Sequence, residues 1–264
     1  MMPKTLRLSD GAAVRALVAG EGPPVVLIHG VGLRAEAWAP QIAALAADHR
    51  VIAVDMPGHG ESDPLPEGAR LPDYVSWAAR VVAALDLGPV SLAGHSMGAM
   101  IAAGVAVERP DLLARVALLN GVHRRTAEAR AAVIARAGQI AQGEGSIDGP
   151  LARWFGPEDA ALRAQVAGWL QAVSLHGYAA AYRAFAEGDG VYADRLHQIR
   201  CPALVLTGEG DGNSTPAMAQ AMADAMALGQ AQVIAGHRHM MNLTAPAAVN
   251  AALRHWLTRE ELPA

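Results

Sequence analysis

The chain has 264 residues, 52% of them hydrophobic and 17% charged, with a formal net charge of −4 at pH 7. This length and apolar share suit one large domain, or one domain carrying an insertion, and exclude a disordered chain. The single cysteine, Cys201, excludes an intramolecular disulfide and a zinc-type cysteine cluster, and the lack of a basic run argues against nucleic acid as a partner.

In chain order, the first eleven residues are polar and lack the apolar core of a signal peptide, so a cytoplasmic location is expected. Short β-branched runs at 5–8, 13–18, 25–29 and 51–55 read as strands, with a helical pattern at 35–47 between the last two. A helix at 72–87, a strand at 90–93, a helix at 97–108 and a strand at 116–119 follow. The stretch 90–107 approaches membrane-spanning length, but His95, Ser96 and small turn-forming residues divide it into strand, turn and helix. No membrane is therefore expected as a partner. From about 122 to 200 strand runs stop, and short helices punctuated by GEGSIDGP (143–150) and Gly156-Pro157 are expected. Strands resume at 203–207 and 232–235, with helices at 215–227 and 246–257. Pro72, Pro216 and Pro246 fall near helix starts, where a missing N–H costs little.

Several later strands are apolar throughout, as in parallel strands covered on both faces. The pattern predicts an α/β fold with a mostly parallel eight-stranded sheet flanked by helices. Residues 1–121 and 201–264 would form the core, and 122–200 a helical cap inserted after the sixth strand. An insertion there lies above the C-terminal edge of the sheet, where such sheets bind ligands.

The strongest chemical signal is Gly94-His95-Ser96-Met97-Gly98, directly after the strand VSLA and directly before the helix MGAMIAAGVAVE. A G-x-S-x-G at a strand-to-helix junction is the nucleophile elbow. Its glycines permit a sharp turn with flanking backbone close by, which pushes the serine out at a helix N-terminus. The plainer alternative is a helix-capping serine.

A serine hydroxyl needs a base to take its proton, and the chain order of this arrangement is nucleophile, acid, histidine. The loop Gly236-His237-Arg238-His239-Met240 follows the last strand, and His239 is the expected base with His237 in reserve. The acid should follow a strand between the two; the loop offers Glu209 and Asp211, and Asp211 is expected, flanked by Gly210 and Gly212, with Glu209 as an exposed loop acid. Oxyanion donors are expected from the N–H of Met97, after the nucleophile, and of Val31 in the loop His29-Gly30-Val31-Gly32. His29 more naturally shapes that loop than acts as a base.

HGVG at 29–32, DMPGHGES at 55–62, GHSMG at 94–98, TGEGD at 207–211 and GHRHM at 236–240 resemble the α/β-hydrolase superfamily, in that order and over essentially the whole chain. The resemblance implies the α/β-hydrolase fold, a cap at 122–200, a serine hydrolase needing no metal or organic cofactor, and shaping roles for Asp55 and His59. ARWFGPED (152–159), GYAAAYRAFAEGD (177–189) and IRCPALVLTGE (199–209) look like the 3-oxoadipate enol-lactonase and small-ester esterase group. That implies a small-molecule ester or lactone substrate. His95 stands where the meta-cleavage C–C hydrolases usually show Asn, and a serine nucleophile is unlike the carboxylate of haloalkane dehalogenases.

Further candidates surround these motifs. Arg124 and Arg125, after His123 and the strand VALLN, could pair with a substrate carboxylate or simply begin a solvated helix. Trp154 and Phe155 could line a pocket or pack the cap; His29, Gly30, His95 and Met240 sit beside the catalytic motifs as pocket candidates. Met97, Met100 and Met241 join Met240 there, either as adaptable lining or as core filler. The expected reaction is hydrolysis of a small carboxylic ester or lactone through an acyl-enzyme. C–C hydrolysis, thioester cleavage, perhydrolysis and a non-catalytic binding module are the alternatives. No heptad or exposed apolar stripe specifies an oligomeric state.

Overall fold

A computed structural model describes residues 1–258, so the last six residues of the expected core segment lie outside the described part. Its strands are β1 (Met2–Arg7), β2 (Ala13–Ala19), β3 (Pro24–Ile28), β4 (Arg50–Val54), β5 (Val90–His95), β6 (Leu113–Leu119), β7 (Ala203–Gly208) and β8 (Gly229–Ile234). They form one sheet in the order β1-β2-β4-β3-β5-β6-β7-β8. β2 runs antiparallel to both β1 and β4, and the remaining neighbours are parallel.

The helices flanking the sheet are α1 (Ala39–Leu45), α2 (Leu71–Leu85) and α3 (Met97–Glu108), and, late in the chain, further elements described below. Successive strand residues point to opposite faces, and both faces are covered. Val26, Ile28, Ile52, Val54, Leu92 and Val116 pack on the side of α2 and α3. Val25, Leu27, Val51, Ala53, Ala93 and Ala117 pack on the other side, against Trp38, Ile42 and Trp256. This two-sided burial explains why the central strands read as unbroken apolar runs. α3 is buried from Met97 to Val107, so it has no polar face to show in its sequence.

Four helices lie in the chain between β6 and β7: α4 (Ala127–Ala141), α5 (Asp148–Trp154), α6 (Ala160–Ala172) and α7 (Leu175–Gly188). Thr126 Oγ1 caps α4 by accepting from Ala129 N–H, and Ser174 Oγ caps α7 by accepting from Gly177 N–H. The start of α7 lies directly on the loop after β4, because a Cβ at Gly177 would collide with the Gly58 carbonyl oxygen. After β7 come α8 (Pro216–Asp224), α9 (Met241–Thr244) and α10 (Pro246–Thr258). Among the described residues, no helix is long and apolar enough to cross a membrane.

Two sheet-edge strands differ from the sequence expectation. β1 begins at Met2 rather than residue 5, since it pairs with β2 along its whole length, from Met2 with Val18 to Arg7 with Ala13. β8 begins at Gly229 rather than residue 232, again because of its pairing, here with β7. Both are mostly solvent-facing, so their ladder hydrogen bonds leave no apolar alternation to read. The expected helix at 35–47 is a short 3-10 turn, Ala35–Trp38, followed by α1.

Candidate active site

Ser96 joins β5 to α3 with φ 56° and ψ −116°, a left-handed backbone rare for a residue with a side chain. The turn is enforced by contact. A Cβ at Gly94 would strike the Gly98 carbonyl, and one at Gly98 would strike the carbonyl oxygen of Ile28 in β3. Ser96 N–H donates to the Leu119 carbonyl of β6 at 2.8 Å, holding the strained residue against the sheet.

Three side chains from separate loops meet there. His239 Nε2 lies 3.1 Å from Ser96 Oγ, and His239 Nδ1 lies 2.7 Å from Asp211 Oδ2. A carboxylate beside Nδ1 places the ring proton on that nitrogen, leaving Nε2 as acceptor for the serine hydroxyl. The reserve histidine and the neighbouring loop acid are engaged elsewhere: His237 Nδ1 contacts Thr244 Oγ1 at 3.0 Å, and Glu209 accepts from Gly236 N–H at 2.9 Å.

Asp211 is saturated with donors. Its Oδ1 accepts from Asn213 N–H (2.8 Å) and Ser214 N–H (3.2 Å), and its Oδ2 also accepts from Asn120 Nδ2 (2.8 Å). Burial by itself would raise this carboxyl, but His239, Asn120 and Asn213 together hold it below its ordinary value. Asn120 was not singled out by the sequence reading. It follows β6 in a left-handed conformation, φ 50°, and only the packing of β6 beside β7 brings it to Asp211.

Met97 is the first residue of α3, so its N–H has no partner within the helix and lies beside Ser96. Val31 lines the same cavity as Ser96 and His239. Gly30 is not cavity lining: it lets the loop pass under the serine, where a Cβ would sit 3.0 Å from Ser96 Cβ. His29 is also behind the site, accepting from Met56 N–H at Nε2 (2.9 Å) and donating from Nδ1 to the Gly30 carbonyl (2.7 Å). His59 Nε2 accepts from Gly32 N–H at 2.9 Å, and Asp55 Oδ1 accepts from Ala35 N–H at 2.7 Å. Burial pushes His29 down to about 4 and His59 to about 3, so both are neutral braces of the loop.

Other pocket candidates also fall outside the cavity wall. His95 is fully enclosed beside Trp38, and its Nε2–H donates to the His239 carbonyl at 2.8 Å. Burial takes its pKa down to about 3, so it steadies the histidine loop as a neutral ring. Met240 is completely buried in the core, and so is Phe155. Arg124 is exposed and turns away to pair with Asp194, because its φ of 46° reverses the chain between it and its neighbour. Arg125 and Trp154, in contrast, do line the cavity.

The cavity holds about 380 Å³ above Ser96, Val31 and His239. Much of its wall comes from the segment between β6 and β7, including Arg125, Arg136, Arg153, Trp154, Tyr182 and Phe185. Arg136 of α4 and Arg153 of α5 are not among the site residues expected from the sequence. Among the described residues, no three His, Cys, Asp or Glu side chains converge as a metal-binding set. The geometry suits proton removal from Ser96 by His239 and attack on a carbonyl held in the cavity.

The family model for the alpha/beta hydrolase family matches residues 25–252. The chain belongs to that family. This hydrolase is 52% identical over 259 residues to the (E)-2-((N-methylformamido)methylene)succinate hydrolase of Acinetobacter baylyi, covering 97% of this chain and 98% of the relative. Its fold superposes on a malate-bound thermophilic esterase from Thermogutta terrifontis with a TM-score of 0.88, at 26% identity, covering 97% and 98% of the two chains. The enol-lactonase of Burkholderia xenovorans gives a TM-score of 0.86 at 26% identity, covering 97% of this hydrolase and 100% of the lactonase.

Proposed function

We propose that this hydrolase cleaves a small acyl compound through an acyl-enzyme on Ser96. The observation that carries the reading is the unbroken contact from Asp211 through His239 to Ser96, opening on a cavity of about 380 Å³. His239 takes the hydroxyl proton as Ser96 Oγ bonds to the carbonyl carbon. The Val31 and Met97 amides receive the developing oxyanion. Collapse of the tetrahedral adduct breaks the acyl bond, and His239 delivers its proton to the leaving oxygen or nitrogen. Water then attacks the acyl-enzyme by the same route, releasing the acid and restoring Ser96. Asp211 orients the imidazole and stabilises its protonated form throughout.

Whole-length identity of 52% makes (E)-2-((N-methylformamido)methylene)succinate the first substrate to assay. In that molecule the attacked carbonyl would be the formyl group, the broken bond its C–N bond, and the released acid formate. The esterase and enol-lactonase likenesses support a second reading, a small carboxylic ester or lactone on the same machinery.

The test runs wild type and Ser96→Ala on the formamido-succinate, followed by formate formation, and on short esters and small lactones, followed by acid release in a pH-stat. Loss of about 10³-fold or more in the variant is expected for at least one substrate. A folded Ser96→Ala protein that retains most of the rate would overturn the acyl-enzyme mechanism.

A further inference from the structure

The cavity wall is strongly cationic. Arg125, Arg136 and Arg153 line it, and no Asp or Glu does among the described residues. The Arg125 side chain is only 5% exposed, yet its buried Nη2 has no hydrogen-bond acceptor. Its Nη1 is spoken for, donating to the Phe185 carbonyl at 3.3 Å and lying 3.3 Å from Asp189 Oδ1. The guanidinium lies 4.3 Å from the centre of the Phe185 ring, which fixes its plane. Arg136 has the same incompleteness: Nη2 donates to the Ser146 carbonyl at 2.7 Å while its buried Nε has no acceptor.

Local charge does not cancel. Among the described residues, Asp189 is the one carboxylate paired with Arg125, and it is shared with Arg130 at 3.3 Å. No described carboxylate pairs with Arg136 or Arg153. A guanidinium held in a partly apolar wall without a full set of acceptors favours an anionic partner. Arginine forks suit carboxylates because two N–H groups can meet two oxygens in one plane.

We infer that Arg125 and Arg136, assisted by the exposed Arg153, form a carboxylate-binding wall, and that the preferred substrates are small dicarboxylates carrying one hydrolysable acyl bond. This rests on the reading of the cavity as the substrate chamber of Ser96. Arg125 takes one carboxylate and Arg136 the second, each through the guanidinium edge that it turns to the cavity. Both act as specificity residues, so their removal weakens binding of anionic substrates and leaves attack on neutral ones largely intact.

The test has two arms. Calorimetric titration with succinate measures the wall directly, in Ser96→Ala and in that variant carrying Arg125→Met or Arg136→Gln. Hydrolysis of p-nitrophenyl hemisuccinate and p-nitrophenyl butyrate by wild type, Arg125→Met and Arg136→Gln separates KM from kcat. Succinate should bind and lose about tenfold or more in affinity in each arginine variant. The hemisuccinate KM should rise by a similar factor, with butyrate kinetics within about threefold. Arg136 is only partly buried, so its variant carries the test should Arg125→Met fail to fold. Absence of succinate binding, or equal effects on both esters, overturns the proposal. Arginine-dependent succinate binding in a protein inert towards these esters, small lactones and the formamido-succinate supports the wall and rejects Ser96 as nucleophile, so the two readings fail separately.

Discussion

The indole of Trp154 lies over the imidazole of His239, with ring centroids 5.5 Å apart and planes inclined by 28°. The contact joins the end of α5 to the histidine loop, where Arg238 Nη1 also donates to the Phe155 carbonyl at 2.9 Å. An aromatic face favours the imidazolium that forms as Ser96 attacks, an effect of about 1 kcal/mol. Trp154→Ala should therefore lower kcat on a neutral ester about fivefold, and Trp154→Phe should restore most of it. Unchanged kcat in the alanine variant would reduce the stack to packing.

Asn120 is expected to act on the acid. Asn120→Gly removes the Nδ2 donor to Asp211 while keeping a residue at ease with φ 50°. A fall in kcat of about tenfold is expected, with KM little changed. Asn120→Asp should be worse, because a second carboxylate against Asp211 drives the two to share a proton. Steady-state rates at neutral pH check the order; an Asp variant as active as the Gly variant would refute it.

Glycine replacements should separate contact from conformation. Gly98→Ala pushes a methyl group into the Ile28 carbonyl, a backbone atom that cannot step aside, and should cost about 3 kcal/mol. Gly68→Ala has open space around it and only its φ of +82° to answer for, so about 1 kcal/mol is expected. Urea unfolding of both variants measures the difference. Equal costs would mean that the elbow can relax around the added methyl.

Stability should fall steeply with mild acid. Burial holds His29 at about 4 and both His59 and His95 at about 3, against 6.5 for an ordinary histidine. The unfolded chain therefore binds protons that the folded chain refuses. Their stabilising contribution is complete above about pH 6.5 and drains away as pH falls towards 3–4. Near pH 5 unfolding should take up roughly three protons, a slope of about 4 kcal/mol per pH unit. Denaturant titrations between pH 5 and 6 give this slope; uptake of one proton or fewer would contradict the three neutral rings.

The legible parts of the molecule are those governed by neighbours along the chain. Gly94, Ser96 and Gly98 stand out because a strand-to-helix reversal places its demands on consecutive residues. The central strands are visible because burial on both faces leaves unbroken apolar runs. β1 and β8 lose residues at their ends to the reading because edge strands are held by ladder hydrogen bonds, which any residue type can make. Gly30 and His95 lie beside cavity-lining residues in the chain but behind them in space, since adjacency to Ser96 does not say which face a side chain takes.

By itself, the sequence determined the α/β alternation, the unbroken apolar central strands and the strand-to-helix turn at Ser96. Tertiary structure alone decided that His239 reaches Ser96 while His237 turns to Thr244, and that Asp211 is joined by Asn120 from the end of β6. It alone gathered Arg125, Arg136 and Arg153 onto one cavity wall while sending Arg124 outward to Asp194. The division has a physical cause. Turns and burial periodicity are properties of short stretches of chain, whereas a site is made by side chains that meet only after distant segments have packed.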